Sequence, residues 1–187
     1  MRITGGLLRG RLVQVPPGSI RPAMDRMRES VFAALGDMDG SSFLDIFSGS
    51  GVIALEAASR GAGYIEAVES DPIKRKTLLE NVKISPVRVN CRFMPAELYV
   101  KRAKRPFDII FCDPPFSYKF KLVLVKAIAG SRLMREGSRL LLHRPKEDFT
   151  FKEDPGSKGI FDNPPSNLVL ESTREYGGSI VDFFKNL

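Results

Sequence analysis

Apolar and polar positions change period repeatedly along this chain, and each change marks an element. Residues 43–47, 64–68, 87–93, 107–111 and 139–143 are short runs rich in aliphatic and aromatic residues. Such runs predict strands covered on both faces. Between them, residues 52–60, 72–84, 96–103 and 119–129 read as helices. Gly61 follows the first of these as a stop, and Pro72 suits the first turn of the second. Strand alternating with helix predicts an open, mostly parallel sheet with helices on both faces, joined by right-handed crossovers.

The flanks follow other patterns. Residues 7–15 alternate, with Gly5, Gly6 and Gly10 nearby and Pro16-Pro17-Gly18 closing the run, which predicts an N-terminal β-hairpin extension over residues 1–20. The main domain then spans residues 21–187. It opens at Arg21-Pro22 with a helical pattern of Met24, Met27, Val31, Phe32 and Leu35, ended by Gly36 or Gly40. After Arg144 the pattern breaks, and residues 146–165 read as a long loop with Pro155, Gly156, Gly159, Pro164 and Pro165 among mixed charges. Residues 168–175 and 179–184 look like strands, and Tyr176-Gly177-Gly178 between them is a hairpin turn signal. The fold class is therefore α/β: a mostly parallel seven-stranded sheet with an antiparallel last strand.

Composition narrows the function. The 187 residues suffice for one well-cored domain, and 43% hydrophobic with 27% charged residues is ordinary for a globular protein. No apolar run approaches the roughly 20 residues that cross a bilayer, and the N-terminus lacks a secretory signal, so a cytoplasmic protein without membrane association is expected. A net charge of +7 favours a polyanionic partner. Arginine and lysine cluster at Arg9 and Arg11, at Arg21, Arg26 and Arg28, and from Lys101 to Arg105. Cys91 and Cys112 both lie in apolar runs and read as buried thiols, and with His143 as the single histidine no metal site is expected.

Two motifs carry chemistry. Asp45-Ile46-Phe47-Ser48-Gly49-Ser50-Gly51 sits where the first strand of the alternating region turns into its helix. Gly49 and Gly51 let backbone approach a ligand closely, and Glu69 closes the next strand where a carboxylate can accept both hydroxyls of a ribose. A dinucleotide loop would carry a third glycine, but position 54 is Ala54. Asp45 repels phosphate and suits a cationic ligand, and S-adenosylmethionine fits that description. The second motif is Asp113-Pro114-Pro115-Phe116, directly after the run 107–112. Two prolines stiffen the turn and keep it extended, presenting a carboxylate, main-chain oxygens and an aromatic face to a flat base with an exocyclic amine.

These residues resemble a known family. Asp45-x-Phe47-x-Gly49-x-Gly51 is similar to motif I of class I S-adenosylmethionine-dependent methyltransferases, and Asp113-Pro114-Pro115-Phe116 to their motif IV. Arg21-Pro22-x-x-Asp25-Arg26-x-Arg28-Glu29 followed by Phe32 resembles a segment of the 16S ribosomal RNA guanine-N2 methyltransferases. Phe47–Gly51, Leu55-Glu56-Ala57, Ser59-Arg60-Gly61-Ala62, the opening Met1-Arg2-Ile3 and the late Tyr176-Gly177 extend the resemblance over nearly the whole chain. Ala23-Met24 and Leu142-His143-Arg144 depart from the family pattern.

The resemblance implies a Rossmann-like class I methyltransferase that transfers methyl from S-adenosylmethionine to a guanine N2 amine in 16S rRNA. The substrate is naked RNA or the small-subunit particle, and the protein a monomer. Asp113, Pro114 and Phe116 are the expected catalytic residues. Asp45, Phe47, Gly49, Gly51, Glu69 and Ala96 are expected at the cofactor, and Arg9, Arg11, Arg21, Asp25, Arg26 and Arg28 at the RNA. Against these roles stand plain ones: Asp113 as a turn cap, Phe116 as core, Glu69 as surface acid, the arginines as solvated helix charges, and His143 as a satisfied strand-end residue. Rival functions are methylation of adenine N6 in DNA or of a protein glutamine, a noncatalytic RNA-binding assembly protein, and a nucleotide-dependent oxidoreductase, which Asp45 and the missing glycine disfavour.

Overall fold

A computed structural model describes residues 1–17, 25–148, 165 and 167–187. Its elements run α1 (Asp25–Leu35), β1 (Ser42–Ile46), α2 (Val52–Ser59), β2 (Tyr64–Glu69), α3 (Pro72–Asn81), a 3-10 turn (Val82–Ile84), β3 (Val89–Phe93), α4 (Ala96–Lys101), β4 (Ile109–Cys112), α5 (Lys121–Ala129), β5 (Arg139–Pro145), β6 (Leu168–Tyr176) and β7 (Ser179–Asn186). Each strand and helix of the alternating region lies where the pattern places it, with shifts at the ends. The helix read over 72–84 tightens into the 3-10 turn at Val82.

The strands form one seven-stranded sheet in the order β3-β2-β1-β4-β5-β7-β6. The neighbours from β3 through β5 are parallel, whereas β7 runs antiparallel to both β5 and β6. The chain therefore builds outward from β1 to β3, crosses back, and resumes on the other side of β1 with β4. That reversal opens a crevice beyond the carboxyl ends of β1 and β4, where ligands bind in open α/β sheets. Both sequence motifs sit there.

Strand alternation divides the core into two layers. Phe111 and Leu141 face a layer with Val31, Phe32, Leu55, Val181 and Phe183. Ile110, Cys112, Leu140 and Leu142 face the other layer, with Leu124, Val125 and Phe184. Each large apolar side chain so buried contributes about 1.5–3 kcal/mol. Cys112 is fully buried as expected. Cys91 is only partly buried, a correction to the expected pair of buried thiols: β3 ends the sheet, with no strand on its outer side among the described residues.

The N-terminal segment departs from the expected hairpin over 7–15. Its strand pairing shrinks to one antiparallel bridge, Arg2 to Leu12, supported by bonds from Ile3 N–H to the Arg11 carbonyl (3.0 Å) and from Val13 N–H to the Met1 carbonyl (2.9 Å). The intervening backbone docks on α2 instead. Leu7 N–H donates to the Ser59 carbonyl (2.7 Å) and Leu8 N–H to Ser59 Oγ (2.8 Å). Gly6, at φ 74°, lies so close that a Cβ would sit 1.8 Å from the Ser59 carbonyl oxygen. Ile3 and Val13 are buried in the core layer on that side of the sheet. The glycines thus serve close packing on a helix end, which alternation in a single segment does not reveal.

In α1, Met27, Val31, Phe32 and Leu35 are buried as their spacing requires, and Gly36 at φ 74° ends the helix. Arg21 and Met24 lie outside the described residues, as does most of the loop read over 146–165. Among the described residues, no helix is long and apolar enough to cross a membrane.

Candidate active site

A cavity of about 810 Å³ fills the crevice, lined from both motifs: Asp45, Phe47, Ser48, Gly49 and Glu69 on one side, Asp113, Pro114, Pro115 and Phe116 on the other. Its size is that of a small-molecule site. Ala96, at the start of α4, lines it between the two.

Three residues shape the first side. Asp45 is 1% exposed at the end of β1. Its Oδ2 accepts from Ser48 Oγ (2.6 Å) and from the Ala54 N–H (3.2 Å), which ties the loop to α2. Its Oδ1 is buried with no hydrogen-bond partner. Burial pushes the Asp45 carboxyl up to about 7; the Ser48 bond opposes this and the charge of Asp113 adds to it. Glu69, buried at the end of β2, accepts from the Gly49 N–H (2.8 Å) through Oε2 and from the Asp71 N–H (2.8 Å) through Oε1. Phe47 adopts φ 66°, the one positive φ of a non-glycine among the described residues. Strained backbone of this kind gathers at functional sites. The Phe47 ring packs on Tyr118 with centroids 5.3 Å apart.

The second side is the acidic turn after β4. Asp113 N–H donates to the Ile46 carbonyl (3.1 Å), so the turn is stitched to the end of β1. Lys121, buried at the start of α5, reaches back and donates to the carbonyls of Phe116 (2.8 Å) and Tyr118 (2.7 Å). Tyr118 N–H donates to the Pro115 carbonyl (2.8 Å). The two prolines and these bonds leave the turn little freedom. The Asp113 side chain retains 24% exposure, and its Oδ1 lies 2.8 Å from His143 Nδ1. His143 in turn contacts Ser179 Oγ through Nε2 (2.9 Å) and meets the Phe116 ring edge-on at 5.6 Å. Among the described residues, no group of His, Cys, Asp and Glu is arranged to hold a metal ion.

Other residues expected at the site fall elsewhere. Gly51 does not line the cavity: at φ 80° it caps the start of α2, and a Cβ there would meet Leu78 at 2.6 Å, so its freedom serves helix packing. Arg28 is a second correction. It is wholly buried, donating through Nε to Glu56 (2.9 Å) and through an NH2 group to Asp25 (2.6 Å) and to the Arg2 carbonyl (2.6 Å). Glu56 also accepts from the Thr4 N–H (2.9 Å) and pairs with Arg60. This buried cluster ties the N-terminus to α1 and α2 and leaves Arg28 unable to meet RNA. Arg9, Arg11, Asp25 and Arg26 are exposed and lie off the cavity wall, whereas Arg21 is outside the described residues.

His143, Ser179, Tyr176 and Tyr118 line the cavity without having been expected there. For His143 a signal existed. Parallel strands β4 and β5 pair Cys112 with Leu142, so the next residue on each, Asp113 and His143, emerge side by side. Ser179 carries no such local signal, because the antiparallel pairing of β7 with β5 brings it in.

The family model described as "Conserved hypothetical protein 95" matches residues 1–184. The chain belongs to this family. Among curated relatives, it is 38% identical over 123 residues to Ribosomal RNA small subunit methyltransferase D of Escherichia coli K12, a match spanning 62% of this chain and 60% of that protein. The protein of the same name in Buchnera aphidicola subsp. Baizongia pistaciae is 31% identical over 179 residues, covering 92% of this chain and 85% of its own length. Of the solved structures, a hypothetical protein from Thermus thermophilus superposes with a TM-score of 0.78 at 30% identity, over 98% of each chain. The sheet and its reversed strand β7 are those of a Rossmann-like methyltransferase fold.

Proposed function

We propose that the protein transfers a methyl group from S-adenosylmethionine to the exocyclic N2 amine of a guanine in 16S rRNA of the small ribosomal subunit. The observation that carries this reading is the Asp113 corner: a stiffened carboxylate, an aromatic ring and a cofactor-sized cavity on one wall. Relatives named as small-subunit rRNA methyltransferases and a net charge of +7 support the substrate class.

The residues present fit the cofactor. Asp45 Oδ1 is a buried oxygen without a donor among the described residues, and the cofactor's ammonium would supply one. Gly49 opens the loop beside it, Glu69 would meet the ribose while it holds the loop, and Ala96 and Phe47 would flank the adenine. When bound, the cofactor supplies an electrophilic methyl on a sulfonium.

The chain's own residues do the rest. With Asp113 Oδ1 engaged by His143, Oδ2 is the oxygen left to accept from the amine. The nitrogen gains a methyl and gives up a proton, and Asp113 Oδ2 is placed to hold it. The amine lone pair is conjugated into the ring, so an acceptor aimed at its hydrogens strengthens as positive charge develops on nitrogen, which favours the transition state. Phe116 stacks the base, worth about 1–3 kcal/mol in comparable single-strand binders. The base must be unpaired or extruded to reach this corner.

The test is transfer of labelled methyl to small-subunit rRNA, naked and in assembled particles, against duplex DNA and protein. Label in guanine N2 of the RNA supports the reading. Cofactor binding without transfer to any RNA would leave a noncatalytic binding protein.

A further inference from the structure

His143 is the one histidine of the chain, and the fold places it against the acidic turn. Its side chain is 10% exposed and both ring nitrogens have partners. Nδ1 faces a carboxylate oxygen, an acceptor, so Nδ1–H donates to Asp113 Oδ1. That tautomer leaves Nε2 as an acceptor, and the Ser179 hydroxyl 2.9 Å away is placed to donate to it. The ring is thus held from both sides, which fixes its orientation.

We propose that His143 is a positioning residue for Asp113, itself set by Ser179, and that it decides which carboxylate oxygen meets the substrate amine. The inference rests on the methyl-transfer reading above. A carboxylate at the end of a strand can rotate about its own bond. The Nδ1–H bond removes that freedom, engages Oδ1, and leaves Oδ2 presented toward the cavity. Phe116 rests edge-on against the same ring at 5.6 Å, so one imidazole orients both the acceptor and the stacking face. Groups that orient a metal ligand from behind change activity about 10- to 100-fold when removed, and an effect of that order is expected for a group that orients a catalytic carboxylate.

The experiment compares His143→Asn, His143→Gln and His143→Ala with the wild type in steady-state methyl transfer to small-subunit rRNA, alongside melting temperature and cofactor affinity by calorimetry. Asparagine places its amide N–H near the position of Nδ1, and glutamine places it near Nε2. Asparagine alone should rescue. His143→Ala and His143→Gln should lose roughly 10- to 100-fold in kcat, with KM for RNA and cofactor within about twofold, whereas His143→Asn stays within about threefold of wild type. Folded Gln and Asn variants with equal kcat, or an Ala variant at wild-type kcat, would overturn the inference and leave the enzyme assignment standing. A wild type that methylates no RNA would instead sink the functional reading, and this inference with it.

Discussion

On the β1–β2 side of the cavity, Asp45 and Glu69 direct oxygens at the protein's own backbone and hydroxyls: Ser48, Ala54, Gly49 and Asp71 are all held by these two side chains. On the β4–β5 side, Asp113 gives one oxygen to His143 and keeps partial exposure. The first pair builds the loop, and of its oxygens only Asp45 Oδ1 is buried without a hydrogen-bond partner among the described residues. The second residue is held from behind and stays open in front. A carboxylate in a cleft is thus either part of the wall or part of the chemistry, and its partners tell which.

Substitutions separate the two sides, and the largest effect belongs to the open one. Asp113→Ala should lower kcat by about 10²–10⁴-fold while cofactor affinity stays within about twofold and the melting temperature changes little. A comparable loss in cofactor affinity would place Asp113 in the wall instead.

Glu69→Ala should do the reverse. Removing the acceptor of two backbone N–H groups should cost about 1.5–3 kcal/mol of stability and roughly 10- to 100-fold in cofactor affinity, with kcat at saturating cofactor altered least. Thermal melts and calorimetry read both.

Asp45 sharpens the contrast through pH. Its folded carboxyl is raised to about 7 from an ordinary 3.8, so between these values the folded state holds a proton that the unfolded chain has lost. Its contribution to stability is present below about pH 4 and is lost as pH rises through 7. Asp45→Asn should remove that slope, so the variant gains on wild type between pH 4 and 7 in paired melts. Binding of a cationic cofactor should draw the proton off. Calorimetry near pH 6.5 in buffers of different ionisation heat should therefore show proton release with the wild type and none with Asn.

The smallest effect lies outside the cavity. Arg9→Ala with Arg11→Ala should weaken RNA binding and reduce its salt slope by about 1.5, while kcat at saturating RNA holds. An unchanged slope would make the N-terminal segment purely structural.

Much of this site was legible in the chain because its carriers act locally. Asp45 and Glu69 close buried strands, and strand ends in an alternating α/β pattern converge on one crevice. The stiffness of Asp113-Pro114-Pro115 is written into the residues themselves. What could not be read depends on partners distant in sequence. Arg28 looks like its neighbour Arg26 in a basic helix, but Glu56, 28 residues on, draws it into the core. Gly51 reads as a ligand-loop glycine, yet α3 packing requires it. The N-terminal alternation resembles a hairpin until α2 supplies competing acceptors. His143 needed the β4–β5 register, and Ser179 needed β7 to arrive antiparallel.

The most direct measurement is nucleoside mass mapping of small-subunit rRNA from cells lacking this protein, complemented with the wild type or with Asp113→Ala. The account expects one N2-methylguanine to vanish, to return with the wild type, and to stay absent with Asp113→Ala expressed at equal level. Full restoration of the methyl mark by Asp113→Ala would contradict it.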